Sequence, residues 1–293
     1  MGDHREASMQ IVVDIGNTES VVGLAASGSE LAAHWRVSSV VPRTVDEMTV
    51  LLRSLLETCP VEPGRIRQGV VGSVVPSSTQ VWARSLERII GDRVVVVGPE
   101  SDLPIRLDVE EPLSVGADRI VNTLAARELF GRDTITVDLG TATTFDCITA
   151  DGVFLGGVIA PGVSAGLEWL DKRTAKLPRV ELTPPRVVIG RRTETCIQSG
   201  VFYSVVDAVD GIVRRIREEW QRPDALVVAT GGFANALGPH LTTVERIEPF
   251  LTLFGLAMAG DHVAGRGDRG AGGDAGAAPR PPRGSSSGSN RLD

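Results

Sequence analysis

Ile135-Thr136-Val137-Asp138-Leu139-Gly140-Thr141-Ala142-Thr143-Thr144 is a β-prone apolar run that ends in an acid, a glycine and a series of hydroxyls. Its branched residues favour the extended chain, and Gly140 suits a tight reversal. Thr141, Thr143 and Thr144 then offer hydroxyls and free backbone N–H groups where the strand turns back. Such N–H groups can hold phosphate oxygens, and an acid beside them can hold a cation or orient a water. One copy of this pattern is also ordinary turn chemistry. A second copy changes its meaning. Gln10-Ile11-Val12-Val13-Asp14-Ile15-Gly16-Asn17-Thr18 repeats the order of β run, acid, apolar residue, glycine, polar residue and hydroxyl. Each copy is followed by a further β-prone run, Ser20 to Ala26 and Thr143 to Ala150. Two such units suggest an internal duplication, with similar halves facing each other across a cleft. Two acid-tipped hairpins aimed into that cleft would suit a nucleoside triphosphate and its metal.

Outward from these hairpins, the rest of the chain reads as strands and helices in alternation. Leu31 to Val37 is an expected third strand, and Thr44-Val45-Asp46-Glu47 a capping box that opens a helix to about Cys59. Gly69 to Val75 and Arg93 to Val97 read as strands around an amphipathic helix of Ser77 to Ile90. This order fits a mixed sheet with helices on its faces. Residues 99–113, with Pro99, Pro104 and Pro112, read as a loop that links the halves. A helix follows to Leu129, then the Asp138 hairpin, a strand from Phe154 to Ala160 and a helix from Ser164 to Lys172. Residues 173–193 read as a long polar loop, and loops of that length are commonly functional or mobile. Glu194 to Trp220 reads as a long helix with an apolar stripe for core or subunit packing. Ala225 to Ala229 is an expected strand, Thr230-Gly231-Gly232 opens another helix, and Leu251 to Met258 is the last apolar helix.

The expected divisions are an N-terminal extension over 1–8, a first half over 9–113, a second half over 114–264 and a disordered tail over 265–293. More than half of the tail is Gly, Pro or Ser, a composition that cannot bury enough surface to order itself. Gly265-Arg266-Gly267-Asp268-Arg269-Gly270 spells G-x-G-x-x-G there, but without a preceding strand it is not read as a dinucleotide site.

The 293 residues are 42% hydrophobic but only 4% aromatic, so the core must be aliphatic. A net charge of −7 argues against general binding of nucleic acid or anionic membrane. No run of eighteen apolar residues suggests a membrane span, and the polar start does not read as a secretory signal. Cys59, Cys147 and Cys196 lack metal spacing and read as buried thiols of a cytoplasmic protein.

The sequence holds no G-x-x-x-x-G-K-[ST], no H-E-x-x-H and no clustered histidines. Phosphoryl transfer needs phosphate donors, a divalent metal and an orienter for the attacking hydroxyl. Asp14 and Asp138 are the hairpin acids, and Asn17, Thr18, Thr141 and Thr143 are neutral donors. Gly231-Gly232 is a strand-to-helix turn whose missing side chains would let a nucleotide lie against backbone. Asp118-Arg119 opens a helix between the two units. Asp118 could take a proton from a hydroxyl, and Arg119 could grip a carboxylate with two hydrogen bonds. The pair suits a substrate that carries both groups.

These motifs, in this order, resemble those of type III pantothenate kinases, members of the acetate kinase/sugar kinase/heat-shock-70/actin superfamily. The resemblance runs from Gln10 to about Gly260. Besides the two hairpins it includes Ser73-Val74-Val75-Pro76, Gly116-Ala117-Asp118-Arg119, Gly156-Gly157 with Pro161-Gly162, Thr174-Ala175-Lys176-Leu177-Pro178, Gly190 with Thr193, and Thr230-Gly231-Gly232. It implies an α/β fold of two duplicated ribonuclease-H-like halves, with mixed five-stranded sheets flanked by helices around a central nucleotide cleft. It implies ATP-dependent phosphorylation of the primary hydroxyl of pantothenate, giving 4'-phosphopantothenate in the first step toward coenzyme A.

By the same resemblance Asp118 is the general base, and Gly116, Ala117, Asp118, Arg119 and Thr193 contact pantothenate. Asp14, Ile15, Gly16, Asn17, Thr18, Glu19, Ser20 and Val21 form the first phosphate loop, and Thr141 contacts the nucleotide. Asp138 holds a monovalent cation, K+ or NH4+, while Mg2+ accompanies ATP. The family works as a homodimer, for which the helix from Glu194 is an interface candidate. Val109 stands where many members have Tyr, and Glu111 where many have Asn, which removes a hydroxyl and adds a negative charge. Two other readings remain: a non-catalytic transcription accessory factor on the same scaffold, and another small-molecule kinase of the superfamily.

Overall fold

A computed structural model describes residues 9–271, apart from residues 28, 60, 62 and 174–176. The expected extension over 1–8, the tail from 272 onward and Thr174-Ala175-Lys176 of the quoted motif lie outside the described residues.

The first half begins with β1 (Met9–Ile15), β2 (Glu19–Ser27) and β3 (Glu30–Ser38). Next come α1 (Val45–Glu57), β4 (Ile66–Ser73), α2 (Pro76–Ile90) and β5 (Val94–Val97). The capping box at α1 is formed: Thr44 N donates to Glu47 Oε2 at 2.8 Å and Glu47 N to Thr44 Oγ1 at 3.3 Å. A Pro at the first position opens α2 and a left-handed Gly91 closes it.

The link after β5 is not all loop. Arg106–Leu107 forms β6, which runs parallel to a strand of the second half. After α3 (Ala117–Phe130) come β7 (Thr134–Leu139), β8 (Ala142–Ile148), β9 (Val153–Pro161), α4 (Ala165–Arg173) and α5 (Thr193–Trp220). The chain then forms β10 (Leu226–Thr230), α6 (Ala234–Leu237), β11 (Arg246–Ile247) and α7 (Leu251–Ala271).

The two sheets repeat one topology. The first runs β3-β2-β1-β4-β5, and the second runs β9-β8-β7-β10-β11 with β6 added beside β9. In both, the hairpin and its next strand are antiparallel and the two strands that follow are parallel. The second sheet therefore has six strands, not five, because the linker contributes one.

The last helix also differs from expectation. It continues to Ala271, so the boundary expected at 264 falls within it, and the G-x-G-x-x-G run lies in a helix rather than at a turn. A helix already nucleated by buried residues gains a hydrogen bond for each residue it adds.

Helices α3 and α7 pack against each other between the sheets. α7 covers the face of β1, β2 and β4, although it belongs in sequence to the second half. Leu253 and Leu256 of α7 share a core with Val12, Ala25 and Val70 of the first sheet and with Ile120, Val121 and Leu124 of α3. Burying each such leucine is worth about 2–3 kcal/mol. Gln10 Nε2 donates to Ala257 O at 3.3 Å and to Asp261 Oδ1 at 2.5 Å, which ties β1 to α7. An 18-residue stretch of α5 has a mean hydropathy of 1.3, and the helix is long enough to span a bilayer. Its Phe202, Val206, Val209 and Val213 instead fill the core of the second sheet.

Candidate active site

The two hairpins meet. Thr18 Oγ1 of the first turn lies 3.0 Å from Thr141 Oγ1 of the second, across 123 positions of sequence. Around this contact lies a cavity of about 580 Å³. Asp14 at the end of β1, Asp138 at the end of β7 and Asp118 in the first turn of α3 all line it. The repeat places the first two acids at equivalent points of their sheets, and α3 brings the third between them.

Further lining comes from Gly16, Asn17, Thr18, Glu19 and Val21 of the first hairpin, from Gly140, Thr141 and Thr144 of the second, and from Gly231 and Gly232. Gly231 adopts φ +89°, and a Cβ there would collide with Asp138 Oδ1 and crowd Leu139 backbone at 2.9 Å. The bare glycine thus lets the β10 turn close down over Asp138.

Not every expected residue shares this cavity. Ile15 is buried in the first core, and Ser20 is buried with its hydroxyl 2.9 Å from that of Ser39. Gly116, Ala117 and Arg119 stand beside Asp118 but are not in the wall. Thr193 opens α5 on a separate apolar groove with Trp169, Leu177 and Ile197.

The acids repel one another. Burial, then the charges of Asp118 and Asp138, push Asp14 up to about 8. Burial, then Asp118 and Asp146, push Asp138 up to about 7. Burial also raises Asp118, although its contacts with Arg119 pull the other way. Asp118 Oδ1 accepts from the Arg119 backbone N–H at 2.8 Å, which fixes the carboxylate at the cavity wall. Such crowding of carboxylates favours bound cations. Among the described residues, no three His, Cys, Asp or Glu side chains converge into a metal-holding cluster.

Two residues missed in the sequence, Arg36 and Asp146, also matter here. Arg36 and Glu19 form an ion pair on the cavity rim. Asp146, in β8, is fully buried and pairs with Arg119. An acid inside the apolar run Phe145-Asp146-Cys147 was the available signal.

Fold and site together are those of a two-lobed α/β protein whose duplicated halves share one cleft. Among solved structures, a protein from Campylobacter jejuni named as a Baf family transcriptional activator aligns with a TM-score of 0.54 at 16% identity, over 87% of this chain and 99% of that one. MreB 5 of Spiroplasma citri bound to AMPPNP aligns with a TM-score of 0.53 at 9% identity, over 90% of this chain and 99% of that one. These likenesses speak to the fold. In sequence, residues 10–215 match the family described as type III pantothenate kinase. The chain is 44% identical to the type III pantothenate kinase of Moorella thermoacetica, over 85% of this chain and 98% of that protein. It is 43% identical to that of Frankia alni, again over 85% and 98%. The chain belongs to the type III pantothenate kinase family.

Proposed function

We propose that the chain transfers the γ-phosphoryl group of ATP to the primary hydroxyl of pantothenate, with Asp118 as general base. The observation that carries this reading is the convergence of Asp14, Asp118 and Asp138, from three separate elements, on one cavity bridged by Thr18 and Thr141. The first hairpin, Thr141 and Gly231-Gly232 surround a space suited to the triphosphate. Burial raises Asp118 from its ordinary value, in the direction of the pH at which a base works best. Its carboxylate takes the proton as the hydroxyl oxygen attacks phosphorus and ADP leaves. Arg119, next along the helix, meets the acid end of pantothenate.

Asp14 and Asp138 would hold the cations: Mg2+ carried in with ATP, and a monovalent ion, K+ or NH4+, at Asp138. Bound there, they neutralise charge that the acids and phosphates would otherwise set against each other. The protein works as a homodimer joined along α4 and α5, where Trp169 is 62% exposed over an apolar groove. Thr193 lies on that groove, so its contact with the acceptor depends on how the dimer forms. The three cysteines are unpaired thiols, in keeping with a cytoplasmic enzyme, but they are not buried as expected: Cys196 is exposed, and Cys59 and Cys147 are half-buried.

The test is a coupled assay of ADP release with pantothenate as acceptor, run with and without K+. Turnover that depends on both supports the reading. ATP binding without turnover would transfer it to a non-catalytic role on this scaffold, and turnover with a different hydroxy acid would make it another kinase of the class.

A further inference from the structure

Asp146 lies one step beyond the machinery described so far. It faces Thr136 across the ladder on one side and Gly157 on the other. Strand alternation puts it on the same sheet face as Thr144, whose partner is Asp138. That face looks onto α3. Asp146 has no exposed side-chain surface, and Arg119 of α3 has 17%. Arg119 Nε donates to Asp146 Oδ1 at 2.7 Å, and Nη2 stands 2.6 Å from the same oxygen. The guanidinium lies over the Phe154 ring, 4.9 Å from its centroid. Gly157 leaves room beside it, for a Cβ there would come within 3.2 Å of Nη2.

A pair as buried as this is a poor source of stability, since desolvation of both charges offsets their attraction. What it does supply is direction. Nε and Nη2 form the side-on edge of the guanidinium, and Asp146 occupies it. The end-on edge, Nη1 with the second proton of Nη2, meets no acceptor among the described residues. Nη2 of Arg119 is buried short of a well-formed hydrogen bond, and the Thr136 hydroxyl also acts on the Asp146 carboxylate.

We propose that Asp146 is a positioning residue for acceptor binding: it clamps the side-on edge of Arg119 and so presents the end-on edge to the carboxylate of the acceptor. The assignment rests on the reading that Arg119 meets the acid end of pantothenate. Asp146 itself touches neither substrate nor the transferred phosphoryl group.

Steady-state kinetics of the full chain test it, with pantothenate and ATP varied separately. Asp146→Asn keeps the shape but loosens the clamp. It should raise the pantothenate KM about tenfold and leave kcat and the ATP KM unchanged. Arg119→Gln should raise the same constant, and Asp146→Asn added to it should raise it no further. The paired variant leaves no buried charge without a partner, so it carries the comparison should Asp146→Asn alone melt below the assay temperature. An unchanged pantothenate KM in Asp146→Asn overturns the proposal, as does an equal rise in the ATP KM or a further rise in the Arg119→Gln background. A wild-type chain inert toward pantothenate overturns the proposed function along with it. An active wild type with an insensitive Asp146→Asn overturns this inference alone.

Discussion

Replacing Asp138 with Asn should stabilise the nucleotide-free protein at pH 8 and leave it unchanged at pH 4. In the fold Asp138 rises from its ordinary 3.8 to about 7, chiefly by burial and then by the charges of Asp118 and Asp146. A carboxyl raised by folding holds its proton in the native state after the unfolded chain has lost it. Stability therefore falls as pH climbs from about 4 to about 7, and is flat above that. The full difference corresponds to roughly 4 kcal/mol at about 1.4 kcal/mol per pH unit. Asp138 lines an open cavity, however, and water there cuts the effective cost to about 1–2 kcal/mol. The neutral amide removes that cost. For a chain of this size the gain is a rise in Tm of roughly 2–8 °C at pH 8. Thermal melting across pH 4 to 8 in a buffer free of K+, NH4+ and Mg2+ measures it. Added K+ should raise the wild-type Tm at pH 8 and leave that of Asp138→Asn in place. A variant no more stable than wild type at pH 8, or equally stabilised at pH 4, would refute the claim that burial and the neighbouring acids make the Asp138 charge costly in the native state.

Three further outcomes follow from the geometry. Asp118→Asn should lower kcat by about 10²–10⁴-fold with the ATP KM and the melting temperature retained; activity within a few-fold of wild type would remove Asp118 as the base. Gly231→Ala combines a left-handed φ of +89° with a collision against Asp138 Oδ1. It should cost about 1–3 kcal/mol and weaken nucleotide binding, read by calorimetry with a non-hydrolysed ATP analogue. Gly255→Ala would drive a methyl into the Val121 carbonyl oxygen and part α3 from α7. A loss of about 1–3 kcal/mol in urea denaturation is expected, and an unchanged midpoint would mean the helices have slack.

Much of the frame was legible because its signals are local. The Thr44 and Glu47 capping box needs only four residues, and both of its hydrogen bonds form. The repeated acid–glycine hairpins revealed the duplication, since a turn after an apolar run is set by nearby chemistry. The misses are long-range. Two residues, Arg106 and Leu107, become a strand only because Val153 and Phe154 offer an edge. The glycine-rich end of α7 has no local helix signal, and its helix is extended from a buried start at Leu251. Asp146 has meaning only beside Arg119, 27 positions earlier, and no periodicity could reveal that contact. Asp14, Asp118 and Asp138 were legible as candidates, but their shared cavity needed α3 to be placed between the sheets. Thr193 shows the reverse, a residue named by motif that stands on another groove.

The way α7 reaches back across the molecule makes the two copies inseparable. It supplies Leu253 and Leu256 to the sheet built from the opening hundred residues, while α3 packs on β4 of that sheet as well as on β7 and β8. A fragment ending at residue 113 would bare Val12, Ala25 and Val70 to water, and its counterpart would carry a homeless apolar helix. An ancestral pair of like subunits could have come apart; this descendant, with one copy's last helix lodged in the other's core, survives only whole.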